Sequence, residues 1–521
     1  MKKIILLILF ISASIYSQNL PEGYLLENEI QLKKISAGSP VQLGNSITDI
    51  VVAGDTIVLG TGKGLSISYD RGESWINFYG HPAFGNESIS AVAYKNGYIW
   101  VATAHSVEKD GQILPEGSGL RFSSDGGLTW QKVDQPVDHK DSNKVIYGNN
   151  VLNALPITTT INNITYDIGL TSDAVWIASF AGGLRKSTDL GRTWQRVVIP
   201  PDNLDSIKPT ESYNFDLSPV SGNLGYQSNL NHRVFSIYVQ NDSTIWVGTA
   251  GGINKSTDGG KSWMKFNKQN QTNHISGNFV VAIGGTEYLG NHYVYAATWK
   301  AEDLTEEYGI SLTSDGGQNW SISNRDIRIH NFGFLNKIAY AAGSTGLFRS
   351  DDFGSNWIKA PMIVDSLTKQ RILTSTFYSV ATQGNTIWVG SNEGLAKTAE
   401  TGFAWAAPWR VYLAFVPVRS KEETYAYPNP FDPEADVLKI KYTTDGRDEK
   451  VTIRIYDFGM NLVKTIIQNA PRSGAVDRRI QQTEFWNGKD EFGNVVSNGV
   501  YFYSVQIGNS EPVWGKILVI R

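Results

Sequence analysis

A short phrase ending in tryptophan recurs seven times along the chain and constrains the fold more than any other feature. Its first copy runs Ser68-Tyr-Asp70-Arg-Gly72-Glu-Ser-Trp75, and five further copies keep the same spacing of hydroxyl, aspartate, glycine and tryptophan. The seventh copy has Glu400 in place of the aspartate. Self-similarity at intervals of tens of residues is typical of propellers and solenoids, in which each repeat is one structural unit.

The residue types of this phrase predict a tight hairpin turn. An aspartate side chain folds back onto backbone N–H groups of a turn, and glycine tolerates the positive φ at which the chain reverses. The tryptophan begins the next strand and buries a large ring against the neighbouring sheet. We therefore interpret the seven copies as structural turns rather than as catalytic or calcium-binding aspartates. The aspartates are Asp70, Asp125, Asp189, Asp258, Asp315 and Asp352, and the tryptophans are Trp75, Trp130, Trp194, Trp263, Trp320, Trp357 and Trp405.

A continuous apolar run precedes each turn and predicts a strand that is buried on both faces. Ile99–Thr103, Ile245–Thr249 and Ile387–Ser391 are examples, each rich in β-branched and aromatic residues. Another candidate strand comes before each run, for instance Ile89–Tyr94. The repeating unit is therefore strand, buried strand, strand, aspartate turn and tryptophan strand. Seven such units predict an all-β fold, a seven-bladed β-propeller.

The composition agrees with short strands and tight turns, and it excludes several classes of function. The 521 residues include 51 glycines, 12% aromatic residues and 18% charged residues. The 46 Lys and Arg against 50 Asp and Glu give a net charge of -4, so nucleic acid is not expected as a partner. The absence of cysteine excludes disulfides, thiolate metal sites and thiol nucleophiles. Because the histidines are scattered without metal-ligand spacing, we predict neither a metal nor a cofactor.

The N-terminus predicts export of the protein. Lys2 and Lys3 precede an apolar run, Ile4–Ile11, and small residues follow up to a plausible cleavage site after Ser17. The apolar run is far shorter than the ~20 residues that a membrane span needs. We therefore expect residues 1–17 to be a signal peptide and the mature chain to be secreted or displayed at the cell surface, without a transmembrane span.

The repeated S-x-D-x-G-x-[ST]-W phrase resembles the Asp-box, or BNR, repeat of the sialidase-like propeller superfamily. Sortilin-type receptors, xyloglucanase-type glycosidases and photosystem assembly-factor propellers belong to the same superfamily. The resemblance implies the fold of about three-quarters of the chain, but it implies little about function, because the motif marks a turn. It does not favour a sialidase, because the family's Arg-Ile-Pro signature is missing and Arg71 and Arg192 lie inside the turns.

The spacing between each buried strand and its turn tryptophan locates the longest insertions. It is 17 residues in the first blade (Val58–Trp75), 30 in the second (Trp100–Trp130) and 25 in the fifth (Tyr295–Trp320). Long connections, residues 134–163 and 200–232, also join the second blade to the third and the third to the fourth. Because strands alternate in direction, these insertions belong to the face opposite the aspartate turns. We therefore predict that they form a ligand-binding rim around the central channel.

Aromatic and acidic residues of these insertions are the predicted ligand contacts. Aromatic rings stack on the C–H faces of sugars and carboxylates bond to hydroxyls, so the mixture favours a polysaccharide or a surface protein as the partner. A glycoside hydrolase, which needs two carboxylates about 5–9.5 Å apart, is one alternative, and a scaffold in surface assembly is another. The sequence identifies no catalytic residue. The candidates are Asp134, His139, Asp141, Tyr213, Asp216, His232, Arg233, Trp299, Glu302 and Asp303.

The residue pattern changes near residue 420, which predicts a propeller of residues 18–420 and a second domain of residues 421–521. Alternating strands in the second domain fit a compact antiparallel sandwich. The pieces Tyr427-Pro-Asn-Pro-Phe431, Ile455–Gly459, Trp486–Asp490 and Gly499–Tyr503 closely resemble the flagellar hook-capping-type immunoglobulin-like domain of secreted bacterial proteins. Such domains are similar to sorting modules of the type IX secretion system, which implies the secretion machinery as a partner. A plain spacer or adhesive sandwich is the alternative.

Overall fold

The computed structural model describes residues 39, 41–219, 229–300, 306–414, 424–434, 437–444, 447–472 and 482–521. The chain divides into two compact units, residues 1–415 and 416–521. Regular structure in the described residues is β-strand apart from one short 3-10 helix, Leu230–His232. The predicted signal peptide, residues 1–17, lies outside the described residues.

The described part of the first unit contains seven antiparallel sheets that each include four consecutive strands. The first strand of each sheet contacts the first strands of the sheets before and after it, and the first sheet also contacts the last. A closed ring of four-stranded sheets is a β-propeller, so the predicted fold class is confirmed. Each sheet is one blade, and its first strand is the inner strand that lines the central channel.

The first three blades are β1–β4, β5–β8 and β11–β14, and a hairpin lies between the second and the third. Their strands are β1 (Ile47–Ala53), β2 (Thr56–Thr61), β3 (Gly64–Ser68), β4 (Ile76–Asn77), β5 (Ser88–Lys95), β6 (Tyr98–Lys109), β7 (Gln112–Ser123), β8 (Gln131–Val133), β9 (Lys144–Tyr147), β10 (Asn150–Ala154), β11 (Thr165–Leu170), β12 (Val175–Ser179), β13 (Gly183–Ser187) and β14 (Gln195–Arg196).

The last four blades are β17–β20, β21–β24, β25–β28 and β31–β34, with short extra strands in the connections. These strands are β15 (Ser206–Ile207), β16 (Asp216–Leu217), β17 (Val234–Val239), β18 (Ile245–Thr249), β19 (Gly252–Ser256), β20 (Trp263–Phe266), β21 (Phe279–Tyr288), β22 (Asn291–Trp299), β23 (Gly309–Thr313), β24 (Ser321–Ser323), β25 (Ile329–Leu335), β26 (Ile338–Gly343), β27 (Gly346–Ser350), β28 (Ile358–Lys359), β29 (Ile363–Val364), β30 (Arg371–Ile372), β31 (Phe377–Gln383), β32 (Thr386–Ser391), β33 (Leu395–Ala399) and β34 (Arg410–Tyr412).

Aromatic rings connect several neighbouring blades. The second strand of a blade is buried along its length, as in β12 and β18, because neighbouring strands and blades cover both of its faces. In the second, fourth and fifth blades, the central ring of this strand meets the turn tryptophan of the following blade edge to face. Trp246 lies 6.3 Å from Trp320, and Tyr295 lies 6.5 Å from Trp357, between ring centroids. Such pairs add stabilisation beyond the burial of apolar area.

The aspartate of each turn accepts hydrogen bonds from hydroxyl and backbone groups of the same turn. In the third blade, Ser187 Oγ donates to Asp189 Oδ1 at 2.7 Å, and Thr193 donates to the carboxylate through its backbone N–H (2.9 Å) and Oγ1 (2.6 Å). Hydrogen bonds from Thr193 and Ser187 lower the pKa of Asp189 to about 2. The hydroxyl bond and the backbone bond recur at Asp70, Asp125, Asp258, Asp315 and Asp352.

The seventh turn uses its glutamate differently. Glu400 accepts from Gly402 N at 2.7 Å within the turn, but it also accepts from Arg349 Nε (2.8 Å) and Nη2 (3.1 Å) and from the Tyr340 hydroxyl. Both partners belong to the sixth blade, and Arg349 is only 1% exposed. The longer side chain therefore joins the sixth and seventh blades through a buried ion pair, which an aspartate could not reach.

Contacts between the first and seventh blades close the ring. Gly72 has a φ of +84°, and a Cβ placed there would lie 2.5 Å from Cη2 of Trp388, so only glycine fits this turn against the last blade. Gln42 Nε2 donates to the carbonyl of Tyr412 at 2.9 Å. The backbone N–H of Ala414 donates to Asn45 Oδ1 at 2.8 Å.

The second unit consists of two antiparallel sheets that share one core. One sheet has the order β35-β36-β39 and the other β38-β37-β40-β41. Leu438 and Trp486 of the first sheet pack in the same cluster as Ile453, Tyr503 and Val519 of the second. This is a two-layer sandwich. Its strands are β35 (Thr424–Tyr427), β36 (Leu438–Tyr442), β37 (Glu449–Tyr456), β38 (Leu462–Arg472), β39 (Gln482–Trp486), β40 (Gly499–Ile507) and β41 (Val513–Val519).

Candidate functional site

The described parts of the two longest interblade connections, residues 134–163 and 200–232, pack on the outer edges of the third and fourth blades. β9, β10 and β16 form a separate three-stranded sheet, and β15 pairs with β20, which adds a fifth strand to the fourth blade. Arg196 in β14, the outermost strand of the third blade, donates to the carbonyl of Ser142 at 2.6 Å. Apolar residues of the connections, including Leu152, Ile207 and Leu217, bury against Trp263. Burial of these apolar groups holds the described parts of the connections against the blade edges.

Of the six predicted ligand contacts in these two connections, five are at least partly exposed. Asp134 is exposed, and His139 and Asp141 form an exposed ion pair with 3.4 Å between Nδ1 and Oδ2. The hydroxyl of Tyr213 donates to Glu211 at 2.7 Å. Asp216, in β16, accepts from Asn153 Nδ2 at 3.0 Å. Their assignment as ligand contacts stays a prediction.

Three other predicted contacts are committed to bonds inside the fold. His232 is 1% exposed; its Nδ1 accepts from the N–H of Ser218 (3.1 Å), its Nε2 lies 3.2 Å from the carbonyl of Ile199, and burial lowers its pKa to about 4. Trp299 is buried and donates to the carbonyl of Ile329 at 2.8 Å. The Nε of Arg233 donates to the carbonyl of Pro219 at 2.7 Å. Glu302 and Asp303 lie outside the described residues.

The inner strand of every blade contains a one-residue β-bulge near its beginning. In β1, for example, Ile47 pairs with Thr61 and Asp49 with Gly60, so Thr48 is left unpaired. A bulge turns a side chain away from the regular alternation, and bulges are common next to functional sites. Inner strands begin on the face opposite the aspartate turns, so the seven bulges surround that mouth of the channel. The residues inserted at the bulges are Thr48, Ser90, Tyr166, Phe235, Val281, His330 and Tyr378.

A cavity of about 510 Å³ occupies the channel at this ring of bulges. Its wall includes the bulge residues Thr48, Ser90, Tyr166, His330 and Tyr378, together with apolar side chains of the inner strands. Small-molecule sites typically occupy about 300–1,000 Å³ and combine apolar walls with a few polar groups. The channel mouth therefore has the size and the chemistry of a ligand site.

Two aspartates in the cavity wall each connect a pair of neighbouring inner strands. Asp49 accepts from the N–H of Ile50 (2.9 Å) and, through Oδ2, from the N–H of Val92 in the next blade (2.9 Å). Asp167 repeats this arrangement in the third blade, where Oδ2 accepts from the N–H of Ile237 at 2.8 Å. The carboxyls thus have a structural role, yet both line the cavity.

Burial in the channel makes these two carboxyls weaker acids than an ordinary aspartate. Burial raises the pKa of Asp49 to about 6, against the effect of its backbone donors. Burial raises the pKa of Asp167 to about 7, and the charge of Asp49 contributes to this shift. Paired acids with raised pKa values are a recognised sign of functional sites, because their charge changes close to neutral pH.

His330 contributes a neutral imidazole to the same wall. Burial and the charge of Arg328 lower its pKa to about 3. Its Nε2 lies 3.1 Å from Ser344 Oγ, and its Nδ1 is buried without a hydrogen-bond partner. Its ring packs edge to face on Trp299 (5.4 Å) and on Tyr378 (5.6 Å). Trp299, predicted as a ligand contact, therefore supports the channel wall from behind.

The insertion of the second blade forms a long hairpin on the same face as the channel mouth. Pairing of β6 with β7 continues to Lys109 and Gln112, so the extra residues near His105–Gly117 extend two strands rather than form a loop. His105 lies between two carboxylates, with Nδ1 2.8 Å from Glu87 and Nε2 3.2 Å from Glu116. This cluster places an imidazole and two carboxylates on that face.

Sequence analysis missed the channel carboxyls, although a signal was present. Thr48-Asp49-Ile50 and Tyr166-Asp167-Ile168 place a carboxylate, followed by isoleucine, at the same point of two candidate inner strands. A charged residue inside an otherwise apolar strand needs a compensating partner, which here is the backbone of the next blade. Among the residues that the structure describes, no group of three or more His, Asp or Glu side chains could hold a metal ion.

Comparisons with known proteins identify no family. No family model matches the chain, and no curated protein matches it. Similar solved structures include an ancestral GH74 enzyme, with 15% identity, a TM-score of 0.49 and coverage of 92% of this chain and 63% of the other. YCF48 bound to D1 peptide has 14% identity, a TM-score of 0.41 and coverage of 73% and 96%. PorZ, a surface component of the type-IX secretion system of Porphyromonas gingivalis, has 14% identity, a TM-score of 0.31 and coverage of 91% and 66%.

No helix in the described ranges of the chain has the length and apolar character required to cross a membrane. The propeller assignment rests on the order of strands in the sheets and on the closed ring of inner strands.

Proposed function

We propose that the protein is an exported β-propeller that binds a glycan or a protein through the channel mouth opposite the aspartate turns. The observation that carries this proposal is the ring of seven bulges. The residues at the bulges differ between blades, and most of them line one cavity. The aspartate turns recur with the same bonds in six blades, whereas the bulge residues vary in chemistry. A repeated element is expected of a scaffold, and a varied element on a rigid scaffold is expected of a binding surface.

The remaining parts of this proposal come from the sequence. Residues 1–17 act as a signal peptide, the repeats place the propeller in the Asp-box superfamily, and residues 421–521 form a hook-capping-type immunoglobulin-like domain that serves in sorting or surface attachment. Mass spectrometry of the protein from culture medium and from cell envelopes tests the export claim. A mature N-terminus at Gln18 in either fraction supports it, and an intact Met1 confined to the cytoplasm contradicts it.

The binding claim is tested by incubating the mature protein with a panel of immobilised polysaccharides and cell-surface proteins. Retention and the release of reducing ends are recorded together. Asp167→Asn changes the channel wall, and Asp189→Asn makes the same substitution in an aspartate turn of the same blade. Retention that is weakened by the first substitution alone supports the channel mouth as the site. Retention that is indifferent to both places the ligand elsewhere on the molecule.

A glycoside hydrolase is the second candidate function, and the pair of channel carboxyls favours it. Asp49 and Asp167 line one cavity, and both have raised pKa values, so each can hold or release a proton near neutral pH, as acid and base catalysis requires. Release of reducing ends that disappears in both Asp49→Asn and Asp167→Asn, while Asp189→Asn retains it, would establish hydrolysis. Retention of a polysaccharide without release would favour binding alone.

A further inference from the structure

We infer that the channel cavity binds a protonated primary amino group, held between the carboxyls of Asp49 and Asp167. This inference rests on the proposed binding function and names the chemistry of the ligand that the channel mouth takes. It is argued from the charge of the cavity wall, from the free acceptor capacity of its carboxyls and from its aromatic surface.

The wall of the cavity carries negative charge that no basic side chain offsets. Asp49 and Asp167 both line it, and none of the described residues in its lining is Lys or Arg. His330 stays neutral because burial and Arg328 lower its pKa to about 3. A cation that enters the cavity therefore finds two carboxyls in a partly desolvated site, where their attraction is stronger than in bulk water.

Both carboxyls have acceptor capacity left for a ligand. A carboxylate offers about four lone-pair positions, and each of these two accepts backbone N–H bonds from its own strand and from the next blade. The bound donors hold each carboxyl in place, and about two lone-pair positions of each remain for a ligand. An ammonium group supplies three N–H donors, which suits two carboxyls better than a single-donor hydroxyl does.

Aromatic groups of the wall suit the carbon atoms that carry such an amine. Tyr166, Phe332 and Tyr378 line the same cavity as the two aspartates. Their rings can cover a short alkyl stem or the face of a sugar ring, and the faces of aromatic rings attract cations. The shared chemistry fits two sources, the side chain of an exposed lysine and an amino sugar.

Isothermal titration of the mature full-length protein tests this inference with two amines and their neutral isosteres. N-acetyl-lysine methylamide is compared with N-acetyl-norleucine methylamide, and glucosamine is compared with glucose. We expect at least one amine to bind about tenfold more tightly than its isostere, and which pair shows the difference identifies the source. Equal binding of amine and isostere in both pairs, or binding of neither amine at millimolar concentration, would overturn the inference.

Matched variants and pH distinguish the channel from other acidic surfaces. Asp167→Asn should weaken amine binding about tenfold, whereas Asp189→Asn should leave it unchanged. Because Asp167→Asn also alters an interblade bond, the melting temperature of each variant is measured without ligand. If Asp167→Asn does not fold, the native protein provides the test: amine binding should weaken as the pH falls from 8 to 5.5 and should release protons at pH 6.5. Binding that is independent of pH would contradict the inference.

The outcome for the proposed function is read separately. Retention of a polysaccharide or protein by the native protein, with no preference for amines in the titration, would leave the binding function standing and remove only this inference. If the native protein retains no polysaccharide or protein and shows no preference for amines, both the proposed function and this inference are contradicted.

Discussion

Asp167 and Asp189 belong to the same blade, yet their carboxyls are in opposite environments. Asp189 is partly exposed in its turn, and hydrogen bonds from Thr193 and Ser187 lower its pKa to about 2. Asp167 lines the central channel, where burial raises its pKa to about 7. Both accept backbone N–H bonds, so the difference comes from solvation and from the hydroxyl donors that only the turn provides.

The two kinds of aspartate are distributed differently among the blades, and this distinguishes structural residues from candidate functional residues. The turn aspartate occurs in six blades with the same bonds, whereas the channel position is a carboxyl only in the first and third blades. In the other blades the equivalent residues, which follow the bulge, are Ala91, Ser236, Ala282, Asn331 and Ser379. A residue that recurs in six of the seven blades is expected to stabilise the fold, whereas a residue confined to two blades can serve a function.

The largest effect on stability is expected from the turn tryptophans. Trp263→Ala should lower the free energy of unfolding by about 3–5 kcal/mol, because the ring is buried in the core between the third and fourth blades. Trp405→Ala is the matched control, since this ring is only partly buried, and its loss should cost less. Urea denaturation measures both. Equal losses would contradict the view that the seventh turn has a different role.

Substitutions of Glu400 test directly whether the seventh turn has a role that the other six turns lack. Glu400→Gln leaves the buried guanidinium of Arg349 with a weakened partner and should cost about 3 kcal/mol of unfolding free energy. Glu400→Asp restores the residue type of the other six turns but is too short to reach Arg349, so it should also destabilise. A Glu400→Asp variant as stable as the native protein would show that the interblade ion pair is dispensable.

The pH dependence of stability should reveal the channel carboxyls. Their pKa values are raised from 3.8 in the unfolded chain to about 6 and about 7, so the folded state binds protons more tightly between roughly pH 4 and 7. Their contribution to stability is therefore full below pH 4 and is lost as the pH rises to 7. Denaturation at pH 5 and pH 8 should show a smaller difference in the Asp49→Asn/Asp167→Asn double variant than in the native protein. If the difference in stability between pH 5 and pH 8 is the same in the double variant, groups other than Asp49 and Asp167 cause the pH dependence.

The smallest of these effects is expected from a single turn aspartate. Asp258→Ala removes bonds to Ser256 and to the N–H groups of Lys261 and Ser262, all at a turn where water replaces them in part. The expected cost is about 1–2 kcal/mol of unfolding free energy, with ligand affinity unchanged. A selective loss of affinity at an unchanged melting temperature would contradict the structural interpretation of the turns.

The sequence was sufficient to predict the propeller because its repeats encode local turn chemistry and burial. The phrase around Trp263 and the apolar run Ile245–Thr249 both depend on neighbouring residues, which a single sequence displays. The bulges at the channel mouth were not predicted, because a bulge such as that at Tyr166 depends on the pairing register between two strands. The course of residues 134–163 was also missed, since it depends on which blade edges remain free to bury Leu152.

The most direct test of the account compares Asp167→Asn with Asp189→Asn for retention on whichever ligand the native protein holds. The two substitutions are identical in chemistry and lie in one blade, so they differ only in place. The account predicts that retention falls about tenfold or more for Asp167→Asn and is unchanged for Asp189→Asn, with both variants folded. Loss of retention in Asp189→Asn alone, at an unchanged melting temperature, would contradict the assignment of the channel mouth as the ligand site.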